Sequence, residues 1–258
     1  MRMADIEYST TGHIAHVRLN RPQGMNAITP EMDELLWKTW CSINDDSDVW
    51  CVILSAEGEK AFCIGADVSG GAERKTRMAL GGGITGVGGP LVTLKKPLIA
   101  AVQGFCVGGG FELAMCADII IAADTAQFGL PETKFGIIGE CGVLHRAIRR
   151  LPHHIAMAII LTGERIKADV AERFGLVNQV VGFSDLAATA QKWAEKINAA
   201  SPLANQAAKA AVLGRLGYPL EVALMTRFEE IEQYAESNDK QEGERAGAER
   251  RKPVWTGS

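Results

Sequence analysis

From His13 to Leu19 the chain alternates Ile14, His16 and Arg18 with Ala15, Val17 and Leu19, a period of two that predicts a strand. Asn20 to Gly24 follows with turn residues. Thr29 is a helix-capping type and stands before Pro30, which suits a first helical position, while Met32, Leu35, Leu36 and Ile43 give that helix an apolar face. Val49 to Leu54 is a compact apolar run that reads as a second strand. Lys95-Lys96-Pro97 introduces another at Leu98 to Val102, and Ile119 to Ala122 is a further one. Strands separated by loops and helices predict an α/β core.

From about Ser184 the strand signals stop. Leu186 to Ile197, Leu203 to Leu213 and Leu220 to Tyr234 each carry helical apolar spacing, with Ser201-Pro202 between the first two and Gly217 and Pro219 before the third. The pattern divides the chain into a core over 1–195 and a helical region over 196–258, which suits packing against a neighbouring subunit.

At 258 residues the chain is long enough to bury most of its apolar surface, and 47% hydrophobic with 22% charged residues is ordinary for a soluble globular protein. The net charge of -4 turns the reading away from nucleic acid and anionic membranes and toward small-molecule chemistry. Met1 to Thr11 has no charged start followed by an apolar run, and no uninterrupted apolar stretch reaches roughly 18 residues, so a cytoplasmic protein is expected. Six cysteines are scattered singly, and His153 and His154 are neighbours that face different ways on a helix, so no metal site is expected.

The chemistry centres on Glu112 and Glu132. Gly108, Gly109 and Gly110 precede the first, so backbone freed of side chains lies beside a pair of carboxylates, an arrangement suited to proton transfer next to a polarised carbonyl. Glu112 stands among Phe111, Leu113, Ala114 and Met115, where burying an idle carboxylate would be costly. The glycines alone would also allow close helix packing, a reading that Glu112 two residues on weakens. Six of the nine residues from Gly81 to Gly89 are glycine, and Ser69 to Pro90 reads as a loop flanking a pocket. Gly81 to Gly86 satisfies GxGxxG, but with no preceding strand and no acidic residue about 20 positions on, the dinucleotide reading fails.

Ala61-Phe62-Cys63-Ile64-Gly65-Ala66-Asp67, Lys96 to Gly104, Gly108 to Ala114, Phe128-Gly129-Leu130-Pro131-Glu132, Leu161-Thr162-Gly163 and Arg250 to Pro253 together resemble, in order and spacing, the enoyl-CoA hydratase/isomerase (crotonase) superfamily over nearly the whole chain. The resemblance implies a spiral core of repeated ββα units and a C-terminal helical region that joins subunits into homo-trimers, commonly paired into hexamers. It implies an acyl-CoA substrate, with CoA part of the substrate and no metal or redox cofactor, whose thioester oxygen is held by the backbone N–H groups of Ala66 and Gly109. Gly109 at a helix start would add the dipole's partial positive charge there. Ala27, Ile64 and Asp67 fall in stretches similar to the family's CoA-lining segments, and Arg250 stands where a CoA phosphate or plain solvent would meet it.

In the hydratase reading Glu112 activates water and Glu132 protonates the α-carbon of a 2-enoyl thioester. After Glu132 the chain departs from the usual hydratase loop: Gly139-Glu140-Cys141-Gly142-Val143 introduces Glu140, either a third acid in the pocket or a residue facing the next helix start. Some isomerases and carnitinyl-CoA dehydratase-like members carry an acid there, so the alternative chemistry is enoyl- or dienoyl-CoA isomerisation with Glu132 and Glu140, or a carnitinyl-CoA dehydratase-like activity. An RNA-binding role ranks third, against the acidic charge and both glutamates. Gly247 replaces a phenylalanine often found before the basic ending, and Gln23 and Gly24 lack a basic side chain often found near the CoA.

Overall fold

Strands β1 (Ile6–Thr11) and β2 (Ile14–Leu19) pair antiparallel in the computed structural model, which describes residues 5–67, 87 and 91–258. The glycine-rich loop and its GxGxxG, Val87 apart, lie outside the described residues. Helix α1 (Pro30–Asp45) begins as its sequence predicts, with Thr29 Oγ1 accepting a hydrogen bond from Met32 N at 3.2 Å. It buries Met32, Leu36, Trp40 and Ile43, spaced for one face, while the expected Leu35 is 45% exposed at the edge of that stripe.

The next six strands are β3 (Cys51–Ala56), β4 (Ala61–Cys63), β5 (Leu98–Val102), β6 (Phe105–Val107), β7 (Ile119–Ala123) and β8 (Gln127–Gly129), with α2 (Gly109–Ala114) after β6. They alternate between two sheets. Beyond them come α3 (Val143–Arg150), α4 (His153–Thr162), β9 (Arg165–Lys167), α5 (Ala168–Arg173), β10 (Gln179–Val181) and α6 (Phe183–Asn198). The larger sheet runs β1-β2-β3-β5-β7-β10 and the smaller β4-β6-β8-β9, all parallel except β1 on β2 and β9 on β8. Each turn of chain thus adds one strand to each sheet, the expected α/β spiral of ββ units with helices.

Unbroken apolar strands follow from burial on both faces. Leu98, Ala100 and Val102 of β5 join the main core with α1, whereas Ile99 and Ala101 join a second cluster under Leu186, Ala190 and Ala194 of α6. Full burial of a side chain such as Ile99 contributes about 1.5–3 kcal/mol. Helix α6 covers the sheet and continues to Asn198, three residues past the expected boundary at 195.

The helical region holds α7 (Pro202–Gly214), α8 (Leu220–Met225), α9 (Glu229–Ala235) and α10 (Asn238–Glu249). Leu220 to Tyr234 is therefore two helices, not one. Phe228 sits at the break, and a Cβ on Gly214 would lie 2.4 Å from its ring, so α7 and the start of α9 meet closely there. Helix α10 has no apolar period because its buried face includes Asp239 and Glu242. Asp239 accepts from Ser201 Oγ at 2.8 Å, Thr256 N at 2.9 Å and Gly257 N at 3.1 Å, which fastens the chain end to the start of α7. Among the described residues no helix is long and apolar enough to cross a membrane, and all six cysteines are free.

Candidate active site

Two glycines bring β4 and α2 together. A Cβ on Gly110 would stand 2.0 Å from the Cys63 carbonyl oxygen, and one on Gly65, whose φ is +97°, would stand 2.8 Å from Gly109 N. Close packing is therefore one task of the glycine run, and it draws the loop after β4 against the first residue of α2. Ile28 bridges Ala66 in parallel: Ile28 N donates to Gly65 O at 2.8 Å, and Asp67 N donates to Ile28 O at 2.9 Å. That pattern engages the residues flanking Ala66 and turns its own N–H away from Ile28. Among the described residues neither the Ala66 nor the Gly109 N–H has a hydrogen-bond partner.

Glu112 lies in the first turn of α2 and is 2% exposed. Its Oε1 accepts from Cys141 N at 2.8 Å and Val143 N at 3.2 Å, so the loop entering α3 fixes it from above. Glu132 lies in a short 3₁₀ helix, Pro131–Phe135, opened by Pro131 directly after β8. The two carboxylates converge on Gly139, where a Cβ would meet Glu112 Oε1 at 3.3 Å and Glu132 Oε1 at 3.8 Å. A Cβ on Gly108 would meet Glu132 Oε1 at 3.2 Å, which puts Glu132 beside the start of α2. Glu132 Oε2 is buried with no hydrogen-bond partner among the described residues.

Burial pushes the Glu112 carboxyl above its ordinary value, opposed by the Cys141 thiol, the N–H groups of Val143 and Cys141, and the Arg146 charge. Burial also raises Glu132, and the neighbouring charge of Glu112 adds to it. Glu132 lacks the pair of N–H donors that stabilise an ionised Glu112. The two environments suit one ionised base and one protonated acid.

Glu140 is exposed and makes no hydrogen bond or ion pair among the described residues. The structure does not gather it with the pair, and Gly142, not Glu140, stands at the N-cap of α3. Among the described residues the third carboxylate does not join the pair: the backbone of Cys141 and Val143, one and three residues further on, turns to Glu112 while the Glu140 side chain is exposed. Ala27, Ile64 and Asp67 do gather around Ala66. Ala27 is buried beside Ile28, Asp67 follows Ala66, and the Ile64 carbonyl lies 3.6 Å from a Cβ on Gly108. Arg250 caps α10 in a left-handed conformation with φ 54°, its backbone N–H donating to Gly247 O at 3.3 Å, and its exposed side chain makes no hydrogen bond or ion pair among the described residues, so one chain alone does not bring it to this group.

Arg21 is the residue that sequence reasoning missed. Its Nη2 pairs with Asp67 Oδ2 at 2.8 Å and its Nη1 donates to Ala27 O at 3.2 Å, tying the rim together. The signal was a cation in the turn after β2, two residues before the uncharged Gln23.

The family model described as Enoyl-CoA hydratase/isomerase matches residues 9–258. The chain belongs to that family. A crystal structure from Novosphingobium aromaticivorans, assigned as a short chain enoyl-CoA hydratase, shares 74% identity over 99% of each chain with a TM-score of 0.92. The (E)-benzylidenesuccinyl-CoA hydratase of Thauera aromatica is 38% identical, covering 98% of this chain and 99% of its own. The short-chain-enoyl-CoA hydratase of Clostridium acetobutylicum is also 38% identical, covering 98% and 97%. These family members span the whole of the spiral and the helical region alike.

Proposed function

We propose that this chain is an enoyl-CoA hydratase, a carbon-oxygen lyase that adds water reversibly across the double bond of 2-enoyl-CoA thioesters. The observation that carries the reading is the convergence of Glu112 and Glu132 on Gly139, beside two backbone N–H groups without partners among the described residues. The thioester oxygen accepts from Ala66 and Gly109 N–H, which act as an oxyanion hole as negative charge moves onto it. Glu112, ionised and held by Cys141 and Val143, takes a proton from water as the water oxygen bonds to the β-carbon. The double-bond electrons shift toward the thioester, and Glu132 delivers its proton to the α-carbon. One water is added, and return of a proton from Glu112 to Glu132 through solvent resets the pair. CoA is part of the substrate, and the sequence of steps calls on no metal or redox cofactor. Ala27, Ile64 and Asp67, braced by Arg21, line the CoA side.

The proposal includes a homo-trimer, commonly paired to a hexamer, in which Arg250 serves a neighbouring site. Exposed Leu216, Leu220, Leu224 and Met225 on and around α8 support that assembly. It also includes a cytoplasmic location, which six free cysteines suit.

Glu112→Gln and Glu132→Gln are each expected to lose roughly 10²- to 10⁴-fold in hydration rate. Full activity of Glu112→Gln on every enoyl-CoA in a panel would refute its role. Isomerisation through Glu132 and Glu140 is disfavoured by the exposure of Glu140: Glu140→Gln should keep hydration within about threefold of wild type. Solvent deuterium incorporation without net hydration, abolished in Glu140→Gln, would reverse that ranking.

A further inference from the structure

A cavity of about 310 Å³ lies between the end of α2, Leu94, and helices α7 and α9, with Val87, Cys116, Ala210, Leu213 and Phe228 among its walls. That volume is at the lower end of small-molecule pockets. Its position relative to the carboxylate pair follows from the helix. Met115 N donates to Phe111 O and Cys116 N to Leu113 O, so the helical turn continues past Ala114 to Cys116. Residues four apart share a face, so Cys116 lies one turn, about 6 Å, beyond Glu112 along the same side. Its sulfur lies 3.3 Å from both Glu112 O and Val87 O, which share its single S–H donor. Gly109, Glu112 and Cys116 therefore mark successive levels on α2.

We propose that this cavity receives the far end of the acyl group, so that the site favours medium-chain, apolar-tailed acyl-CoA thioesters over four-carbon ones, with Cys116 at its entrance as the specificity-determining residue. The assignment rests on the acyl-CoA reading of the site. The thioester carbonyl sits at the Gly109 level, the β-carbon at the Glu112 level, and carbons beyond it pass Cys116 into the cavity. The charged groups at the wall are already engaged with protein. Lys209 Nζ donates to Asp118 Oδ2 at 2.6 Å and Lys96 O at 2.8 Å, and Lys95 Nζ pairs with Glu230 Oε1 at 3.5 Å. Beside these, Thr93 and Gln206 are the uncharged polar residues of the lining, and its apolar part, Val87, Leu94, Ala210, Leu213 and Phe228, rewards each added methylene.

Calorimetric binding of the saturated thioesters butyryl-CoA and octanoyl-CoA to the full-length protein tests the cavity without turnover. Octanoyl-CoA is expected to bind at least about tenfold tighter, since four more methylenes leave water. Ala210→Phe and Cys116→Phe, which fill the cavity from opposite walls, are each expected to cut that ratio below about threefold. Equal binding of the two thioesters by the wild type would overturn the assignment, as would an unchanged ratio in both variants. The wild-type comparison needs no variant to fold. Hydration of crotonyl-CoA is measured alongside: loss of the hydratase reading would show as absent turnover with the binding ratio intact, and loss of the cavity assignment as turnover with no ratio.

Discussion

Gly110→Ala isolates the contact that positions both halves of the site. The added methyl would meet the Cys63 carbonyl oxygen at 2.0 Å and its carbon at 2.6 Å, against roughly 3.5 Å for relaxed nonbonded contact. Both partners are backbone, so no side chain can swing aside, and α2 must move from β4 by more than about 1 Å. Overpacking of this kind costs about 1–3 kcal/mol. Alanine returns about 1 kcal/mol in helix propensity. The net loss of about 0–2 kcal/mol lowers the melting temperature by at most about 8 °C in a chain of this size. The rate is the sharper readout, because α2 carries Gly109 N–H and Glu112 away from a loop anchored elsewhere, and a displacement of about 1 Å costs on the order of 10²-fold. Steady-state hydration of crotonyl-CoA should therefore show kcat down about 10²-fold in a protein that still melts cooperatively. Gly247→Ala is the control: nothing lies within 4 Å of its added Cβ, so it should gain up to about 1 kcal/mol in α10 and leave the rate alone. A Gly110→Ala enzyme within about threefold of the wild-type kcat would refute the claim that this contact sets the geometry.

Glu132→Gln should raise the melting temperature at neutral pH while destroying activity. A carboxyl raised by burial favours folding when protonated, so its stabilising contribution is complete below the ordinary value of 4.5 and is lost as pH rises through the raised one. Melting curves at pH 4 and pH 8 should show the glutamine variant's advantage at pH 8 only, and an advantage confined to pH 4 would contradict the sign. Asp239→Ala removes three accepted hydrogen bonds at a buried carboxylate, and denaturant unfolding should register a loss of about 3 kcal/mol, with a loss under about 1 kcal/mol counting against the fastening role. Arg21→Met should raise KM for the thioester about tenfold with little change in kcat, because it loosens Asp67 and Ala27 rather than the carboxylate pair, and a fall confined to kcat would be the wrong outcome.

What the sequence revealed depended on whether the deciding forces were local. Thr29 and Pro30 start α1 through a hydrogen bond three residues away, so the start could be read directly. The break at 226–228 carries no glycine or proline, and it follows from packing between Phe228 and Gly214, distant in sequence. Helix α10 escaped because its buried face is charged: Glu242 accepts from Arg245, Arg251 and Val254 N, so pairing replaces the apolar stripe that periodicity detects. The site divides in the same way. Glu112, Glu132, Ala66 and Gly109 were legible as a motif, and the fold brings the glutamates together beside the glycine run. Glu140 is exposed for a specific reason. Proximity in sequence to a catalytic loop says which backbone is near, but the side chain's direction is set by the turn. Here Gly139 leaves the space where both carboxylates meet and Cys141 and Val143 turn their N–H groups inward, so what the loop presents to Glu112 is its backbone. A substitution that keeps these backbone positions, such as Glu140→Gln, should thus be silent where one at Gly139 is not: a Cβ there would also meet Val143 Cγ1 at 2.4 Å, displacing a residue whose N–H holds Glu112.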